Sequence, residues 1–373
     1  MLAWCPELDY DDGSRWLMKK RIVVFVALFW LPISGLDPGS TGAQTQQQPP
    51  PKPPSLSKPA PQPTPPAEPK EDLDVVSVST NLVTVPLRVR NQKESYVSDL
   101  RAEEFRVFED GVEQQLAYFA PVDSPFTVAL MLDVSDSTES SLGQIKEAAI
   151  AFVNQLRADD QVIIIHFDGV LNVVGQPSSD RAVLRAMIKH VPSGSGTHLY
   201  DAVDKVLTRL LTQIKGRKAV VLFTDGVDVG SQTTAKQTLR EAETGDALIY
   251  SVYFDTQEAL REKLLGGAVP YSVLKSRADY LNSVYAVARR YLDSLAKGTG
   301  ARMYPASNPE RMAVAFASIA EGLRAQYSLG YYPANPPQAS QRRKIKIQVA
   351  RPRVEVDARE SYLCRAPIGS ANK

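Results

Sequence analysis

Apolar and polar residues alternate with a period of two through residues 73–120, most regularly at 83–90. This period puts every second side chain on one face, which is typical of a half-buried β-strand. Two later runs, residues 105–109 and 112–119, stand on either side of Asp110 and Gly111, a pair that favours a tight hairpin turn. We therefore predict a small all-β module of immunoglobulin-like character over residues 73–122.

The pattern changes at about residue 124, where short apolar runs rich in Val and Ile begin to alternate with longer stretches of helical period. Each run is apolar on both faces, and the runs are residues 126–132, 162–167, 219–223 and 247–254. Strands of this kind lie at the centre of a sheet that has helices on both sides. We predict a doubly wound, Rossmann-like α/β domain over residues 123–325, with a mostly parallel sheet.

Two segments of this domain depart from the simple alternation. Asp168 and Gly169 join the strand 162–167 to residues 170–174 through a two-residue turn, which predicts one antiparallel edge strand. Residues 255–297 form a charged, helical insertion that is longer than a crossover between strands requires. The sequence does not indicate a role for this insertion.

Period-two runs return after the α/β domain and predict a β extension over residues 326–373. The pattern does not identify the strands with which this extension pairs. A further edge hairpin is predicted over residues 349–362. The basic run 342–344 is interpreted as charge on an edge strand, where it discourages aggregation.

The N-terminal region, residues 1–43, has the organisation of an export signal. Basic residues at 19–21 precede the apolar run 22–31, and small residues follow at 41–43. Because a membrane span takes about 20 apolar residues, a cleaved signal is favoured over the alternative, an uncleaved N-terminal membrane anchor. Acidic residues stand before this pattern, so the start of translation is expected at Met18.

A proline-rich segment, residues 44–72, follows the export signal. It contains eleven prolines and scarcely an apolar side chain to bury. Chains of this composition favour the extended polyproline conformation. We predict a linker that holds the folded part of the protein away from its N-terminal region.

Overall charge excludes some classes of partner. Lys and Arg number 43 and Asp and Glu number 42, so the net charge is +1 and no global field attracts nucleic acid or an anionic membrane. If the chain begins at Met18, Cys364 is its remaining cysteine, and the fold depends on its core rather than on disulfides. A partner must therefore be recognised at a local site.

Polar residues follow the predicted strands at the same edge of the sheet. Asp133, Ser135 and Ser137 come directly after the first central strand, Thr197 stands in a Gly- and Ser-rich loop before a helix, and Asp225 follows a later strand. The carboxyl ends of parallel strands are where open α/β folds bind ligands. Carboxylate and hydroxyl oxygens suit a hard cation such as Mg²⁺. We predict a divalent-cation site at this edge.

In this order and context, the five residues resemble the metal-ion-dependent adhesion site of the von Willebrand factor type A family. That site combines an Asp-x-Ser-x-Ser loop with a Thr and an Asp from two later loops. The hairpin sequence Phe-Arg-Val-Phe-Glu-Asp-Gly and the segment Tyr-Ser-Leu-Gly-Tyr-Tyr-Pro are also similar to a bacterial secreted subfamily. The resemblance covers the predicted α/β domain and most of the chain after the linker.

The resemblance implies roles for the five residues. Ser135, Ser137 and Thr197 are expected to coordinate Mg²⁺, Mn²⁺ or Ca²⁺ through their hydroxyls, while Asp133 and Asp225 act directly or through water. In family members that work as receptors, a carboxylate from a protein partner occupies the remaining position on the ion. Metal binding in the family can also couple to movement of the last helix.

Asp136 departs from the family pattern, because many members carry glycine between the two serines. Its extra charge either strengthens cation binding or discourages an acidic partner, or else the side chain points to solvent and does neither. We favour the solvent-facing interpretation.

Other interpretations of these residues remain open. Asp133 and Asp225 alone would suit helix N-caps, although three added hydroxyls exceed what capping requires. A Rossmannoid phosphatase also places an Asp after its first strand, but the second acid that it needs would stand where Ser135 is. Asp228 is interpreted as a turn residue. His198 is interpreted as structural, with the rim of the site as its alternative.

We therefore expect a non-enzymatic, divalent-cation-dependent module that binds a protein partner, in the manner of an adhesion domain. The export signal places it outside the cell or in the periplasm or cell envelope, with membrane contact only through an uncleaved anchor. Nucleic acid is not an expected partner. Two alternatives stay open: an envelope scaffold subunit with a purely structural metal, and a Mg²⁺-dependent phosphatase-like hydrolase.

Overall fold

A computed structural model describes residues 82–265, 271–335 and 338–364. The predicted export signal, the linker and the first residues of the predicted β module lie outside the described residues. The strands of the described part are β1 (Val83–Asn91), β2 (Phe105–Glu109), β3 (Val112–Gln114), β4 (Leu116–Ala120), β5 (Phe126–Asp133), β6 (Gln161–Phe167), β7 (Leu171–Ser178), β8 (Arg217–Thr224), β9 (Leu248–Tyr253), β10 (Met303–Pro305), β11 (Tyr327–Tyr331), β12 (Arg342–Val349), β13 (Val354–Ala358) and β14 (Ser361–Leu363).

Helices follow most strands of the central domain. They are α1 (Leu142–Gln155), α2 (Arg181–Lys189), α3 (Leu199–Lys205), α4 (Ala235–Thr244), α5 (Gln257–Leu265), α6 (Tyr271–Thr299) and α7 (Pro309–Arg324). In the described part of the chain, no helix is both long and apolar enough to cross a membrane.

A six-stranded sheet forms the centre of the fold, in the order β10-β9-β8-β5-β6-β7. β5 pairs in parallel with β6 and β8, and β9 pairs in parallel with β8 and β10. β7 runs antiparallel to β6 at the edge of the sheet. The sheet is therefore mixed, and the α/β fold predicted from the alternating runs is confirmed.

Two layers of helices enclose this sheet. On one face α1, α2 and α7 share a core with Val128, Leu130 and Leu132 of β5. On the other face α3, α4 and α6 share a core with Ala129 and Met131 of the same strand. Successive side chains of a strand point to opposite faces, so both faces of β5 are buried. This is why its sequence is apolar without alternation.

The remaining strands form two four-stranded sheets, β13-β1-β11-β4 and β14-β12-β2-β3, which share one apolar core. The sequence placed these strands in two units, a β module at 73–122 and an extension at 326–373. The structure instead pairs β1 with β11 and β13, and β2 with β12, so both segments contribute strands to the same two sheets. A period-two pattern shows which face of a strand is buried, but it does not show which strand lies beside it.

Two further predictions for the C-terminal strands are wrong for the same reason. The expected hairpin at 349–362 does not form, because β13 pairs with β1 and β14 pairs with β12. The basic run 342–344 is not on an edge, because β12 lies between β14 and β2. Arg343 is 3% exposed and forms an ion pair with Glu109, which is also buried. Tyr331 and Tyr362 each donate a hydroxyl hydrogen bond of 2.7 Å to the same Glu109 carboxylate.

The two four-stranded sheets that share an apolar core are called the sandwich below. The sandwich and the α/β domain belong to one compact unit. Arg88 of β1 reaches the central sheet, where its guanidinium donates to the Tyr250 hydroxyl at 2.9 Å and to the Gly300 carbonyl at 3.0 Å. The same side chain is paired with Asp357 of β13 at 3.0 Å. The buried guanidinium of Arg88 thus connects β1, β9 and β13.

Replacing Glu109 by Ala should destabilise the protein by about 3–5 kcal/mol, because it leaves the buried guanidinium of Arg343 without its carboxylate. Glu113 on the same hairpin is the matched control, since its contact with Arg106 is exposed and 3.9 Å long. Glu113→Ala should change stability little. Urea unfolding monitored by circular dichroism measures both variants, and equal losses would contradict the assigned role of the Glu109 pair.

Candidate functional site

The first loop of the candidate site begins at the last residue of β5. Asp133 is fully buried, and its Oδ1 accepts a hydrogen bond of 3.1 Å from the Ser135 backbone N–H. Its Oδ2 accepts a bond of 2.6 Å from the Thr224 hydroxyl at the end of the adjacent strand β8. The Thr138 hydroxyl closes the turn by sharing its proton between the carbonyls of Asp133 and Ser135, each 3.0 Å away. Both oxygens of the Asp133 carboxyl are thereby held in place.

Asp225 brings the third loop to the same point, because β8 is the parallel neighbour of β5. Its Oδ1 accepts from the Val227 N–H at 3.0 Å, and its Oδ2 accepts from the Ser137 hydroxyl at 2.7 Å. The Ser135 and Ser137 hydroxyl oxygens are 3.1 Å apart. Since the single proton of Ser137 goes to Asp225, Ser135 is the donor in that contact. Asp133, Ser135, Ser137 and Asp225 therefore form one hydrogen-bonded cluster.

Thr197 lies between these two loops and is buried. Its carbonyl accepts a bond of 2.8 Å from the Val229 N–H, which ties it to the loop of Asp225. Three residues earlier, the Gly194 N–H donates to the Val134 carbonyl at 2.8 Å, which ties the Thr197 loop to the first loop. All five residues predicted from sequence thus lie at one edge of the sheet. Side-chain bonds join four of them, and backbone bonds place Thr197 beside them.

Asp136 is exposed, as the solvent-facing interpretation expected, but it is not without contacts. Its Oδ2 accepts a hydrogen bond of 3.3 Å from the Gly196 N–H. Gly196 has a φ of 73°, a conformation that glycine adopts without strain. The additional acid therefore helps to hold the loop that carries Thr197.

Asp168, in the turn between β6 and β7, supports the same loop and was missed from sequence. A Cβ on Gly194 would lie only 2.0 Å from the Asp168 Oδ2, so this position requires glycine. The Asp168 carbonyl accepts from the His198 N–H at 2.8 Å, at the start of α3. The predicted edge hairpin thus contacts the loop that positions Thr197.

Residues after Asp225 contact the first residues of α3 through hydrogen bonds and packing. Asp228 accepts hydrogen bonds from the Tyr200 N–H at 3.1 Å and from the Ser231 hydroxyl at 2.5 Å. These contacts agree with its interpretation as a turn residue. The His198 ring packs against the same turn, because a Cβ on Gly230 would lie 2.9 Å from its Nε2.

Burial raises the pKa of Asp133 to about 7, and the neighbouring Asp225 contributes to the rise. Burial also raises the pKa of Asp225, although hydrogen bonds from Thr256, Val227 and Ser137 oppose it. Among the described residues, neither carboxylate has an ion-pair partner. A pair of desolvated acids of this kind holds either a proton or a cation.

The possible metal ligands of this site are carboxylate and hydroxyl oxygens, which suit a hard divalent cation; the site is not a cluster of several acids, histidines or thiolates. In the described ranges, no group of three or more His, Cys, Asp or Glu side chains is placed to hold a metal ion. The candidate site instead offers two carboxylates and the hydroxyls of Ser135, Ser137 and Thr197. Such oxygen ligands match the preference of Mg²⁺.

The raised pKa of Asp133 predicts how stability depends on pH in the absence of cations. Its pKa in the folded state, about 7, lies above the ordinary value of 3.8, so the folded state binds this proton more tightly than the unfolded state. Stability should therefore fall as the pH rises from about 4 through about 7. Urea unfolding in EDTA across this range measures the effect. Asp133→Asn should lose that component of the decline, and a decline of equal size in the variant would contradict its assignment to Asp133.

Comparison with known proteins identifies the domain that carries the site. A family profile of the von Willebrand factor type A domain matches residues 128–227, from within β5 to two residues beyond Asp225. This match confirms, for residues 128–227, the resemblance to the von Willebrand factor type A family that the five residues suggested. No curated protein sequence matches the chain.

Several solved structures are similar to parts of this chain. A von Willebrand factor type A protein from Catenulispora acidiphila is 12% identical with a TM-score of 0.41, covering 77% of this chain and 74% of its own. The von Willebrand factor domain of the type V pilus tip protein Mfa5 from Porphyromonas gingivalis is 13% identical with a TM-score of 0.39, over 53% of this chain and 94% of its own. Proximal thread matrix protein 1 from the mussel byssus is 12% identical with a TM-score of 0.40, over 58% of this chain and 49% of its own. In that structure the metal-ion-dependent adhesion motif is occupied by zinc.

Proposed function

We propose that the chain is a non-enzymatic protein-binding module whose binding depends on a divalent cation held by Asp133, Ser135, Ser137, Thr197 and Asp225. One observation carries the proposal: two buried carboxyls meet two serine hydroxyls in a single hydrogen-bonded cluster, and no basic side chain of the described residues pairs with either acid. A divalent cation supplies the charge that this pair needs in order to be fully ionised.

The two serine hydroxyls of the site use their protons within the hydrogen-bonded cluster. Ser137 donates its proton to Asp225 and Ser135 donates to Ser137, so each serine oxygen keeps a lone pair for a metal ion. Asp133 and Asp225 act directly or through water. The cation, when bound, acts as a Lewis acid that attracts an anionic ligand. Mg²⁺ is the preferred ion because it takes six oxygen ligands and usually keeps several of its waters.

The partner that fits this site is a protein that presents a carboxylate. Five side chains leave at least one of the six positions of an octahedral ion for an external ligand. An exposed Asp or Glu of another protein supplies an oxygen of the preferred kind. The N-terminal pattern supports a location outside the cell or in the envelope, where such a module meets surface proteins.

A hydrolase is less well supported than a binding module. A phosphatase of related fold needs a general acid two residues after its first aspartate. That position is Ser135, which is buried and uses its backbone N–H on Asp133. An envelope scaffold subunit with a structural metal remains the alternative within binding proteins.

The wild-type protein should bind MgCl₂ in isothermal titration calorimetry after removal of cations with EDTA. Asp225→Asn should weaken this affinity by at least about tenfold, because even outer-shell partners of a metal contribute that much. Asp228→Asn is the matched control, since this acid lies three residues away and holds the turn before α4. Equal affinities of wild type and Asp225→Asn would contradict the assigned cation site.

Capture of a partner should require both the cation and Asp225. Tagged wild-type and Asp225→Ala proteins are each incubated with envelope extract in MgCl₂ and in EDTA, and bound proteins are identified by mass spectrometry. Of the four conditions, specific capture is expected in one, the wild-type protein in MgCl₂. Identical capture under all four conditions would overturn cation-dependent binding and favour the scaffold alternative.

A further inference from the structure

Helix α6, part of the insertion for which the sequence indicated no role, packs against the loop of Asp225. A Cβ on Gly226 would lie 2.8 Å from Leu292 Cδ1 and 3.2 Å from Ala288 Cβ. Tyr285, Ala288 and Leu292 are spaced by three and four residues, so they share one face of the helix. The backbone after Asp225 and this face of α6 are therefore in direct contact.

A chain of hydrogen bonds joins the same helix face to the Asp225 carboxylate. The Thr256 hydroxyl, immediately before α5, donates to Asp225 Oδ2 at 2.6 Å. The Thr256 and Tyr285 hydroxyl oxygens are 2.7 Å apart. Since the single proton of Thr256 goes to Asp225, Tyr285 must donate to Thr256. All three side chains are buried, so water does not compete for these bonds.

We propose that Thr256 and Tyr285 are positioning residues that orient Asp225 for the cation and thereby couple α6 to cation binding. The inference rests on the proposed function of the site. Thr256 and Ser137 donate to the same oxygen of Asp225, so the insertion and the first loop both fix the orientation of one carboxyl group. Displacement of α6 changes one of these two contacts and the packing against Gly226.

Such coupling is reciprocal. If α6 in its observed position raises the affinity for the cation, the cation must stabilise α6 in that position by the same factor. Cation binding then protects the backbone amides of α6, and loss of the Tyr285 hydroxyl weakens cation binding. The insertion thus transmits the occupancy of the site to a helix of 29 residues.

The chain provides a matched control on the same helix. Tyr291 is buried, and its hydroxyl lies 2.9 Å from that of Thr238. Thr238 donates to the Ala235 carbonyl at 2.9 Å, so Tyr291 is the donor in its contact with Thr238. This second Tyr–Thr pair ends on a backbone carbonyl of α4 rather than on Asp225. Tyr285→Phe and Tyr291→Phe therefore remove equivalent hydrogen bonds with different final acceptors.

The test measures affinity for MgCl₂ by isothermal titration calorimetry in the full chain. Thr256→Val should weaken affinity by about 10- to 100-fold, the range seen for outer-shell partners of a metal, and Tyr285→Phe should weaken it by a smaller factor. Thr256→Ser keeps the hydroxyl and should retain affinity close to that of the wild type. Tyr291→Phe should retain wild-type affinity even if it lowers the melting temperature.

Hydrogen exchange provides the second readout. MgCl₂ should slow exchange of the α6 amides in the wild type and in Tyr291→Phe, and should slow it less in Tyr285→Phe. If Tyr285→Phe and Thr256→Val bind Mg²⁺ with wild-type affinity, or if Tyr291→Phe weakens binding equally, the coupling is wrong while the proposed site stands. If the wild type binds no Mg²⁺, the proposed function itself fails, and the inference fails with it.

Discussion

Two carboxyl groups buried side by side, those of Asp133 and Asp225, impose the constraint on which the rest of the site depends. They meet because β5 and β8 are adjacent parallel strands that end at the same edge. Burial and proximity raise the pKa of Asp133, so the pair resists full ionisation without a compensating charge. The surrounding hydroxyl and amide donors orient the two acids but carry no net charge.

Several elements at this edge hold the pair or the loop beside it. Thr224 and the turn after Asp133 orient the first carboxyl, while Ser137 and Thr256 both donate to the second. Asp168 supports the loop of Thr197 from the edge hairpin through its close approach to Gly194. The insertion after β9 is part of this arrangement, because α6 contacts the same loop that carries Asp225.

The strands outside the central sheet form a sandwich to which both ends of the described chain contribute. The buried Glu109 of the sandwich contacts Arg343, Tyr331 and Tyr362 in one network. Separately, Arg88 of β1 extends from the sandwich to Tyr250 of the central sheet. A strand such as β1, which lies between β11 and β13, depends on partners more than 200 residues away. The sandwich therefore forms only when both segments are present.

The sequence alone determined the α/β character of the central domain, the family of that domain and the five residues that gather at its edge. The α/β character follows from local patterns, the apolar runs and the turn residues between them. The five residues were found because three loops, each after or before a recognisable element, match the family's motif in order. The tertiary structure decided the pairing of the flanking strands, the burial of Arg343 and the contacts of Thr256 and Tyr285 with Asp225. Each of these joins residues that are distant in sequence, 234 positions apart for Glu109 and Arg343, and a local pattern carries no record of its distant partner.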